Sequence, residues 1–252
     1  MKKLVIVLIA MASSIVALQS HAQDTEDKIL MVITSHGTLG EDKGEPTGYY
    51  LSEVSHAYYV FTEAGYEVDF VSPEGGKSPV DGYDLEDEDN KRFVNDETAQ
   101  RKINNAMTPS AVNESEYAAV YYAGGHGTMW DLPDNEALAS ITAQSYESGG
   151  VVGAVCHGPA GLVNVKLSDG SYLVDGKTVS AFTNEEEVAS GKDKYVPFML
   201  ETKLENRGAN HVESDNWQKK VVADGRLVTG QNPASAKGVA ENIVELLKSK
   251  RE

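Results

Sequence analysis

Cysteine is almost absent from this sequence, with Cys156 the only one among 252 residues. A single cysteine cannot form an internal disulfide, so its thiol is either buried and inert or reactive and used. Composition alone leaves both alternatives open. The residues around Cys156 therefore have to decide between them.

Basic residues are also scarce, with 22 Lys and Arg against 39 Asp and Glu. Such an excess of negative charge repels phosphate backbones, so no nucleic-acid partner is expected. The densest acidic stretch, 81–89, is interpreted as a solvated loop, with a weak cation site as the alternative.

Long apolar runs are missing except at the N-terminus. There two lysines precede an apolar stretch from Leu4 to about Leu18, and the small residues Ser20 and Ala22 follow it. This order is typical of a secretory signal peptide. The stretch is also shorter than the roughly 20 residues that span a bilayer.

We therefore expect residues 1–22 to be a cleaved signal peptide, with an uncleaved membrane anchor as the alternative. The mature chain would begin near Gln23. Loss of Lys2 and Lys3 would leave 20 basic and 39 acidic residues, a net charge of −19. The protein would be periplasmic or secreted, without membrane contact after cleavage, in a compartment where thiols tend to oxidise.

One domain is expected over residues 23–252, because neither a linker nor a repeat interrupts this part of the sequence. Short apolar runs alternate with segments whose apolar residues recur at three- and four-residue steps. The predicted strands are 28–34, 67–72, 118–122 and 151–155, and the predicted helices are 49–64, 135–148 and 234–248. This alternation indicates an α/β fold with a mostly parallel sheet covered on both faces.

The carboxyl ends of the strands are the place to look for a site, because ligands gather there in open parallel sheets. This rule predicts that four loops surround one site: 35–37, 72–76, 123–127 and 156–159. Farther along the chain, Asp224-Gly225 joins two apolar runs, which predicts a hairpin at the edge of the sheet.

Cys156 stands between the predicted strand 151–155 and Gly158-Pro159, which suit the first turn of a helix. The thiol is therefore predicted on a sharp strand-to-helix turn, the geometry of a nucleophile elbow. A helix N-terminus there would lower the thiol pKa below its free value of ~8.5. We expect Cys156 to be a nucleophile, with a buried structural cysteine as the alternative.

Gly124, Gly125 and His126 belong to a glycine-rich loop after the predicted strand 118–122. Consecutive glycines let backbone N–H groups point at a substrate oxygen, as in an oxyanion hole. By itself the loop is only a turn. Beside the elbow it becomes a candidate for oxyanion or substrate binding.

Three stretches of the sequence belong together: YYAGGHGTMWDLP (121–133), AVCHGPA (154–160) and LVTGQNPAS (227–235). In combination and in this order they resemble the ThiJ/PfpI superfamily, and within it the branch of glutathione-independent glyoxalases and stress chaperones. The resemblance extends from about residue 28 to 247. It implies a flavodoxin-like three-layer α/β/α sandwich of the class I glutamine amidotransferase-like type.

The resemblance also assigns roles to residues. It makes Cys156 the nucleophile, His157 the histidine beside it, and Glu53 the carboxylate that contacts the thiol from the first helix. An acid after a Phe-Thr pair orients the histidine in this branch. Spacing from the threonine favours Glu187 among the three candidates, which are Glu185, Glu186 and Glu187. A solvated acidic helix start is the alternative for this run.

Two departures from relatives affect the prediction. Glutamine amidotransferases carry their catalytic histidine in a distant His-x-Glu motif, and here the only His-x-Glu stretch, His211-Val-Glu213, lies in polar surroundings that indicate surface. Tyr50 stands where some chaperone-type members carry a metal-binding histidine. His36 and His126 are interpreted as polar loop residues rather than as metal ligands, so neither a metal nor another cofactor is expected.

The activity implied by the resemblance is that of a cysteine-dependent glyoxalase III-type lyase. It would convert methylglyoxal to lactate through a hemithioacetal on Cys156, and early glycation adducts on proteins would be substrates for the same chemistry. The expected partner is a small 2-oxoaldehyde, and a homodimer stays open. The alternatives are a periplasmic holding chaperone and an oxidation sensor.

Overall fold

The computed structural model describes residues 28–40 and 44–250, and the predicted signal peptide, 1–22, lies outside these ranges. A central sheet contains six strands: Lys28–Val32 (β1), Glu67–Val71 (β3), Ala119–Tyr122 (β5), Val151–Val155 (β6), Val221–Asp224 (β9) and Leu227–Gly230 (β10). Two short parallel pairs lie outside it: Tyr49–Tyr50 (β2) with Val80–Asp81 (β4), and Thr178–Val179 (β7) with Asn210–His211 (β8).

The order in the central sheet is β3-β1-β5-β6-β10-β9, and every neighbouring pair is parallel except β10 with β9. Successive residues of β1 enter opposite cores, with Ile29 and Met31 on one face and Leu30 and Val32 on the other. Burial on both faces explains why these strands are almost continuously apolar. The predicted hairpin is confirmed, with β9 at the edge.

Helices cover both faces of the sheet. They are Leu51–Glu63 (α1), Glu88–Asn95 (α2), Glu97–Ile103 (α3), Thr128–Asp131 (α4), Glu136–Glu147 (α5), Asn184–Ser190 (α6), Leu200–Glu205 (α7) and Ala236–Ser249 (α8). Apolar residues of α1, α2, α3 and α8 enter one core, and those of α4, α5 and α7 enter the other. The predicted α/β sandwich is therefore confirmed. None of the helices in the described ranges is long and apolar enough to cross a membrane.

The acidic stretch 81–89 is only partly the solvated loop that its composition predicts. Asp81 belongs to β4 and is half-buried. Asp87 caps α2, because its Oδ1 accepts a hydrogen bond from the Asn90 N–H at 2.9 Å. Glu88 and Asp89 form the first turn of α2. Negative charge is favourable at the start of a helix, so part of this stretch has a structural use.

Candidate active site

Cys156 lies directly after β6, on the sharp turn that the sequence predicts. Its φ of 58° is in the left-handed region, which costs a non-glycine residue about 1–3 kcal/mol. The Cys156 N–H donates to the Gly230 carbonyl at 2.9 Å, and the Cys156 carbonyl accepts from the Phe182 N–H at 3.0 Å. A side chain at Gly158 would meet the Tyr122 carbonyl oxygen, so glycine fits there. The elbow geometry is confirmed.

The turn continues into a 3-10 helix, Gly158–Leu162, instead of an α-helix. So short a helix aligns few peptide dipoles and stabilises a thiolate weakly. Burial raises the pKa of Cys156 well above its usual value, and the neighbouring Glu53 carboxyl raises it further. The expected lowering of the thiol pKa is therefore wrong, because burial outweighs the helix N-terminus. Cys156 is protonated at neutral pH.

His157 joins the thiol to a carboxylate. Its Nδ1 lies 3.3 Å from Cys156 Sγ, and its Nε2 lies 2.7 Å from Glu187 Oε2. An ionised carboxylate only accepts hydrogen bonds, so the proton of a neutral His157 ring belongs on Nε2. The lone pair of Nδ1 then faces the thiol. This arrangement allows the sulfur proton to pass to His157.

Glu187 is shared with a second histidine. Its Oε1 lies 2.9 Å from His126 Nε2, and the His126 and His157 ring centroids are 4.0 Å apart. Burial would raise the pKa of Glu187, but hydrogen bonds from His126 and His157 outweigh it and hold this pKa well below its usual range. Burial lowers the pKa of His126 to about 4. Glu187 is therefore an ionised acceptor beside a neutral His126.

The other two glutamates of α6 do not contact His157. Glu185 is exposed. Glu186 is buried and forms a capping box with Thr183, in which the Glu186 N–H donates to Thr183 Oγ1 and Glu186 Oε2 accepts from the Thr183 N–H. Among the three candidates, the structure brings Glu187 to the histidine, as the spacing favours.

Glu53 lies in the first turn of α1 and is fully buried. Its Oε2 accepts from the Gly124 N–H at 2.6 Å, while Oε1 has no nitrogen or oxygen partner in residues 28–40 and 44–250. Burial raises the pKa of Glu53 to about 8, against smaller lowering by hydrogen bonds with Gly124 and the Cys156 thiol. The carboxyl is therefore neutral at pH 7 and sits beside the thiol, as the sequence predicts.

Cys156 and His157 line a cavity of about 290 Å³. This volume is close to the lower end, ~300 Å³, of typical ligand cavities. The Phe182 ring lies 4.3 Å from the His157 ring and 5.6 Å from that of Trp217, measured between centroids. The remaining walls come from separate parts of the chain: Tyr50, Asp81, Gly125, His126, Ser190, Lys192 and Pro233.

The glycine-rich loop contributes less than the sequence predicts. Gly125 and His126 line the cavity, but Gly124 does not. The Gly124 N–H is held by Glu53, so it is not available as an oxyanion donor, contrary to the prediction. Backbone N–H groups of Gly125 and His157 remain as candidates, because both residues line the cavity.

Two of the four predicted loops do not line this cavity. The His36 ring stacks on Trp130 with centroids 4.9 Å apart, and its Nε2 lies 2.6 Å from the Thr38 carbonyl oxygen. Asp131 accepts hydrogen bonds from the backbone of loop 35–37. Loop 72–76 joins loop 35–37, where Glu74 N–H donates to a serine hydroxyl. The prediction that all four loops surround one site is wrong, because loop 35–37 is held by Asp131 and loop 72–76 contacts loop 35–37, and neither lines the cavity.

Sequence reasoning missed most of the cavity wall. Phe182 could have been predicted to lie near the site, because it belongs to the Phe-Thr pair before α6. No sequence pattern indicates Trp217 or Lys192, because they lie in loops without a motif and only the fold brings them to the site.

In the part of the chain that the structure describes, two groups of side chains could hold a metal ion, because the donor atoms within each group lie within 4.8 Å of one another. One is His126, His157 and Glu187, and the other is Glu201, His211 and Glu213. His211 is half-buried, with Nε2 accepting from the Ala181 N–H at 3.1 Å. The expectation that no metal is bound stays a prediction.

Comparisons with known proteins place the chain in a family. The DJ-1/PfpI family matches residues 46–246. The chain is 34% identical to the glutathione-independent glyoxalase HSP31 of Saccharomyces cerevisiae, over 88% of this chain and 98% of that protein. It is similar to the structure of Rapid Encystment Protein 24 kDa from Francisella tularensis, with a TM-score of 0.84 and 39% identity over 88% and 99% of the two chains.

A further similar structure is glyoxalase III from Candida albicans, with a TM-score of 0.77 and 30% identity over 87% of this chain and 96% of that one. The family match and these relatives cover the elbow, α1 and α6. The chain therefore belongs to the DJ-1/PfpI family, in its branch of glutathione-independent glyoxalases.

Proposed function

We propose that this protein converts methylglyoxal to lactate without glutathione, through a covalent intermediate on Cys156. One observation carries the proposal. The Cys156 sulfur lies 3.3 Å from His157 Nδ1, and the other ring nitrogen is held by Glu187 at 2.7 Å. A thiol with a raised pKa needs such a base, because the thiolate is the nucleophile.

The first step forms a carbon–sulfur bond. The thiol proton passes to His157 Nδ1 while the sulfur attacks the aldehyde carbon, and Glu187 stabilises the resulting imidazolium. Neutral Glu53 then donates its proton to the new alkoxide, which gives a hemithioacetal and leaves Glu53 ionised. Backbone N–H groups of Gly125 and His157 would stabilise the oxygen as its negative charge develops.

The second step moves hydrogen between adjacent carbons. Glu53 takes the proton from the former aldehyde carbon, and protonated His157 gives its proton to the ketone oxygen, so that an enediol forms. Glu53 then returns a proton to the second carbon, while His157 takes one from the hydroxyl on the first. The product is a lactoyl thioester of Cys156, with Glu53 ionised and His157 protonated.

Hydrolysis completes the cycle. Ionised Glu53 takes a proton from water as the water oxygen attacks the thioester carbonyl, and His157 protonates the departing sulfur. Lactate is released, and the thiol, neutral His157 and neutral Glu53 are restored. Overall, methylglyoxal and one water become lactic acid. The same attack on early glycation adducts would give a repair activity.

The test is lactate formation from methylglyoxal by purified protein without glutathione, with Cys156→Ser as the variant. We expect the variant to lose the activity while its circular dichroism and thermal midpoint stay close to those of the wild type. Full activity in Cys156→Ser would reject the covalent mechanism. Protection of an aggregating client by that inactive variant would instead support the holding-chaperone alternative.

The oxidation-sensor alternative has less support. Cys156 is 3% exposed, and burial raises its pKa. Sensor cysteines are accessible and have a low pKa, because the thiolate is the form that peroxide oxidises.

We also propose that the protein is exported and that residues 23–252 form its single mature domain. The support is the order of charged, apolar and small residues over 1–22. Mass spectrometry of protein from the cell envelope is expected to find an N-terminus near Gln23. Predominantly intact Met1 would contradict export.

A further inference from the structure

Trp217 forms the outer wall of the cavity in a conformation that its own backbone does not favour. Its φ is 65°, in the left-handed region that bulky residues rarely adopt. The indole packs on Phe182 and lines the cavity that holds Cys156, yet 49% of the residue is exposed. Because about half of Trp217 lacks packing partners, packing alone does not explain its left-handed backbone conformation. Other contacts must stabilise it.

Glu186 supplies those contacts. It is fully buried, and its Oε1 accepts from the Trp217 N–H at 2.7 Å and from Asn232 Nδ2 at 2.8 Å. Asn232 Nδ2 also donates to the Gln218 carbonyl at 2.9 Å. The other oxygen, Oε2, accepts from the Thr183 N–H at 3.2 Å. One carboxyl group thus ties the segment 217–218 to the start of α6 and to the loop after β10.

The setting of Glu186 is unusual for a glutamate. No lysine, arginine or histidine forms an ion pair with it in residues 28–40 and 44–250. Burying a carboxyl group is costly unless several hydrogen bonds compensate. Here the donors are two backbone N–H groups and one side-chain amide, and all three belong to residues that line the cavity or directly adjoin a residue that lines it. This arrangement indicates that Glu186 fixes the relative positions of the segments whose donors it binds.

We propose that Glu186 is a positioning residue, which fixes the Trp217 indole as the outer wall of the Cys156 cavity and thereby limits the size of the 2-oxoaldehyde that the cavity admits. The inference rests on the proposed glyoxalase activity for its substrate. Methylglyoxal has three carbons, whereas a 2-oxoaldehyde with an aromatic ring would have to displace the indole.

The experiment that tests this proposal uses the reactivity of Cys156 to probe the cavity wall at Trp217, and it does not depend on glyoxalase activity. Alkylation rates of the thiol are measured with iodoacetamide and with the bulkier N-phenylmaleimide. The variants are Trp217→Ala, Glu186→Gln and the matched control Glu185→Gln, which makes the same change at an exposed position of α6. The ratio of the two rates cancels changes in thiol ionisation, which affect both reagents.

We expect the ratio to shift toward the bulky reagent by about tenfold in Trp217→Ala, the size of effect that small steric changes have in a pocket. Glu186→Gln is expected to shift it in the same direction, and Glu185→Gln to leave it unchanged. In the double variant Glu186→Gln with Trp217→Ala, the ratio is expected to equal that of Trp217→Ala alone, because Glu186 acts through the indole.

An unchanged ratio in Trp217→Ala would overturn the role of the wall. A shift in Trp217→Ala without one in Glu186→Gln would overturn the role of Glu186. If Glu186→Gln does not fold, Asn232→Ala removes one donor to the same oxygen and is expected to shift the ratio likewise, and an unchanged ratio there would count against the proposal.

Turnover supplies a second readout. With glyoxalase activity present, Trp217→Ala and Glu186→Gln are expected to lower KM for phenylglyoxal relative to methylglyoxal, with a smaller change in kcat. If the ratio of KM for phenylglyoxal to KM for methylglyoxal is the same in these variants as in the wild type, the substrate-size part of the proposal is contradicted. If the alkylation ratio shifts but neither the wild type nor any variant forms lactate, the role of Trp217 as the cavity wall is supported and the proposed glyoxalase activity is rejected.

Discussion

At the scale of single residues, Cys156 and Glu53 share a buried site in which both keep their protons at neutral pH. Burial is the larger cause for each, and it acts against the charged form. The thiol therefore reacts only when a base takes its proton during attack. His157 is the group placed to do so, because the Glu187 carboxylate keeps the proton of a neutral ring on the far nitrogen.

The buried Glu53 carboxyl should make stability depend on pH. Its pKa is raised from 4.5 to about 8, so the folded protein holds this proton where the unfolded chain has lost it. The contribution of Glu53 to the free energy of unfolding therefore falls as pH rises from about 4.5 to about 8. Glu53→Gln removes this titration, and should gain on the order of 4 kcal/mol relative to wild type across that window.

Urea unfolding of both proteins at pH 5 and pH 8 checks this prediction. The difference between them is the quantity of interest, because His126 and Glu187 titrate in both and their contributions cancel. Glu185→Gln is the control, because it replaces an exposed glutamate of α6 by its amide. A constant difference for Glu53→Gln would mean that the carboxyl titrates at an ordinary pKa in the folded protein.

Glu187 should control which nitrogen of His157 carries a proton. In Glu187→Gln the amide NH₂ can donate to His157 Nε2, which moves the ring proton to Nδ1 and removes the base that faces Cys156. We expect kcat/KM for methylglyoxal to fall by about 10²–10⁴, as for other positioned bases and their orienting acids. Steady-state kinetics checks this, with Glu185→Gln as the control. A loss below about threefold would contradict the control of the His157 ring proton by Glu187.

The sequence predicts Cys156, His157, Glu53 and Glu187 as site residues because each lies in or near a short motif of the family that it resembles. It could not identify the pKa of the thiol, since burial depends on residues far away in the chain. The role of Glu186 was hidden for a related reason. Its neighbour Glu187 differs from it by one position on α6, and the turn of the helix sends the two carboxyl groups to different partners.

At the scale of elements, α6 positions two glutamates through its first turn. Thr183 is the N-cap, and its hydroxyl accepts from the Glu186 N–H at 2.9 Å. Thr183→Ala should therefore lower the free energy of unfolding by about 1 kcal/mol, the usual cost of losing such a cap. Activity should also fall, because the cap fixes the turn that carries Glu187.

Denaturant unfolding and glyoxalase kinetics on the same samples check this prediction. Thr183→Ser keeps the hydroxyl and is the matched control, expected to retain most of both. Equal losses in Thr183→Ala and Thr183→Ser would assign the effect to the lost methyl group rather than to the capping hydrogen bond.

The strands and the long helices were predictable because one property, burial on one or two faces, fixes their pattern of apolar residues. The short elements were not. Gly158-Pro159 suits the start of either an α-helix or a 3-10 helix, and close packing against Tyr122 accompanies the tighter form. Likewise, no local pattern separates the two loops at the cavity from loops 35–37 and 72–76.

At the scale of the whole molecule, the net charge of −17 sets a negative field around a cavity whose own charges are mixed. Lys192 and Asp81 both line the cavity, so a cation and an anion offset each other there. An uncharged substrate is not steered by either. The long-range field acts only on ionic substrates, and it repels anions.

Salt dependence should therefore report the charge of the substrate. Between about 0.01 and 0.3 M salt the Debye length falls several-fold, so repulsion over long distances is largely screened. For methylglyoxal, which is uncharged, kcat/KM should change by less than about twofold, whereas for a 2-oxoaldehyde that carries a carboxylate it should rise, because screening removes repulsion by the negative surface. Steady-state rates for both substrates across a sodium chloride series provide the measurement, and a salt with a different anion controls for specific ion binding. A steep rise of kcat/KM for methylglyoxal itself would contradict this explanation. It would show that salt acts on the protein, through the position of Trp217 or through the buried Glu187 carboxylate, and not by screening the long-range field.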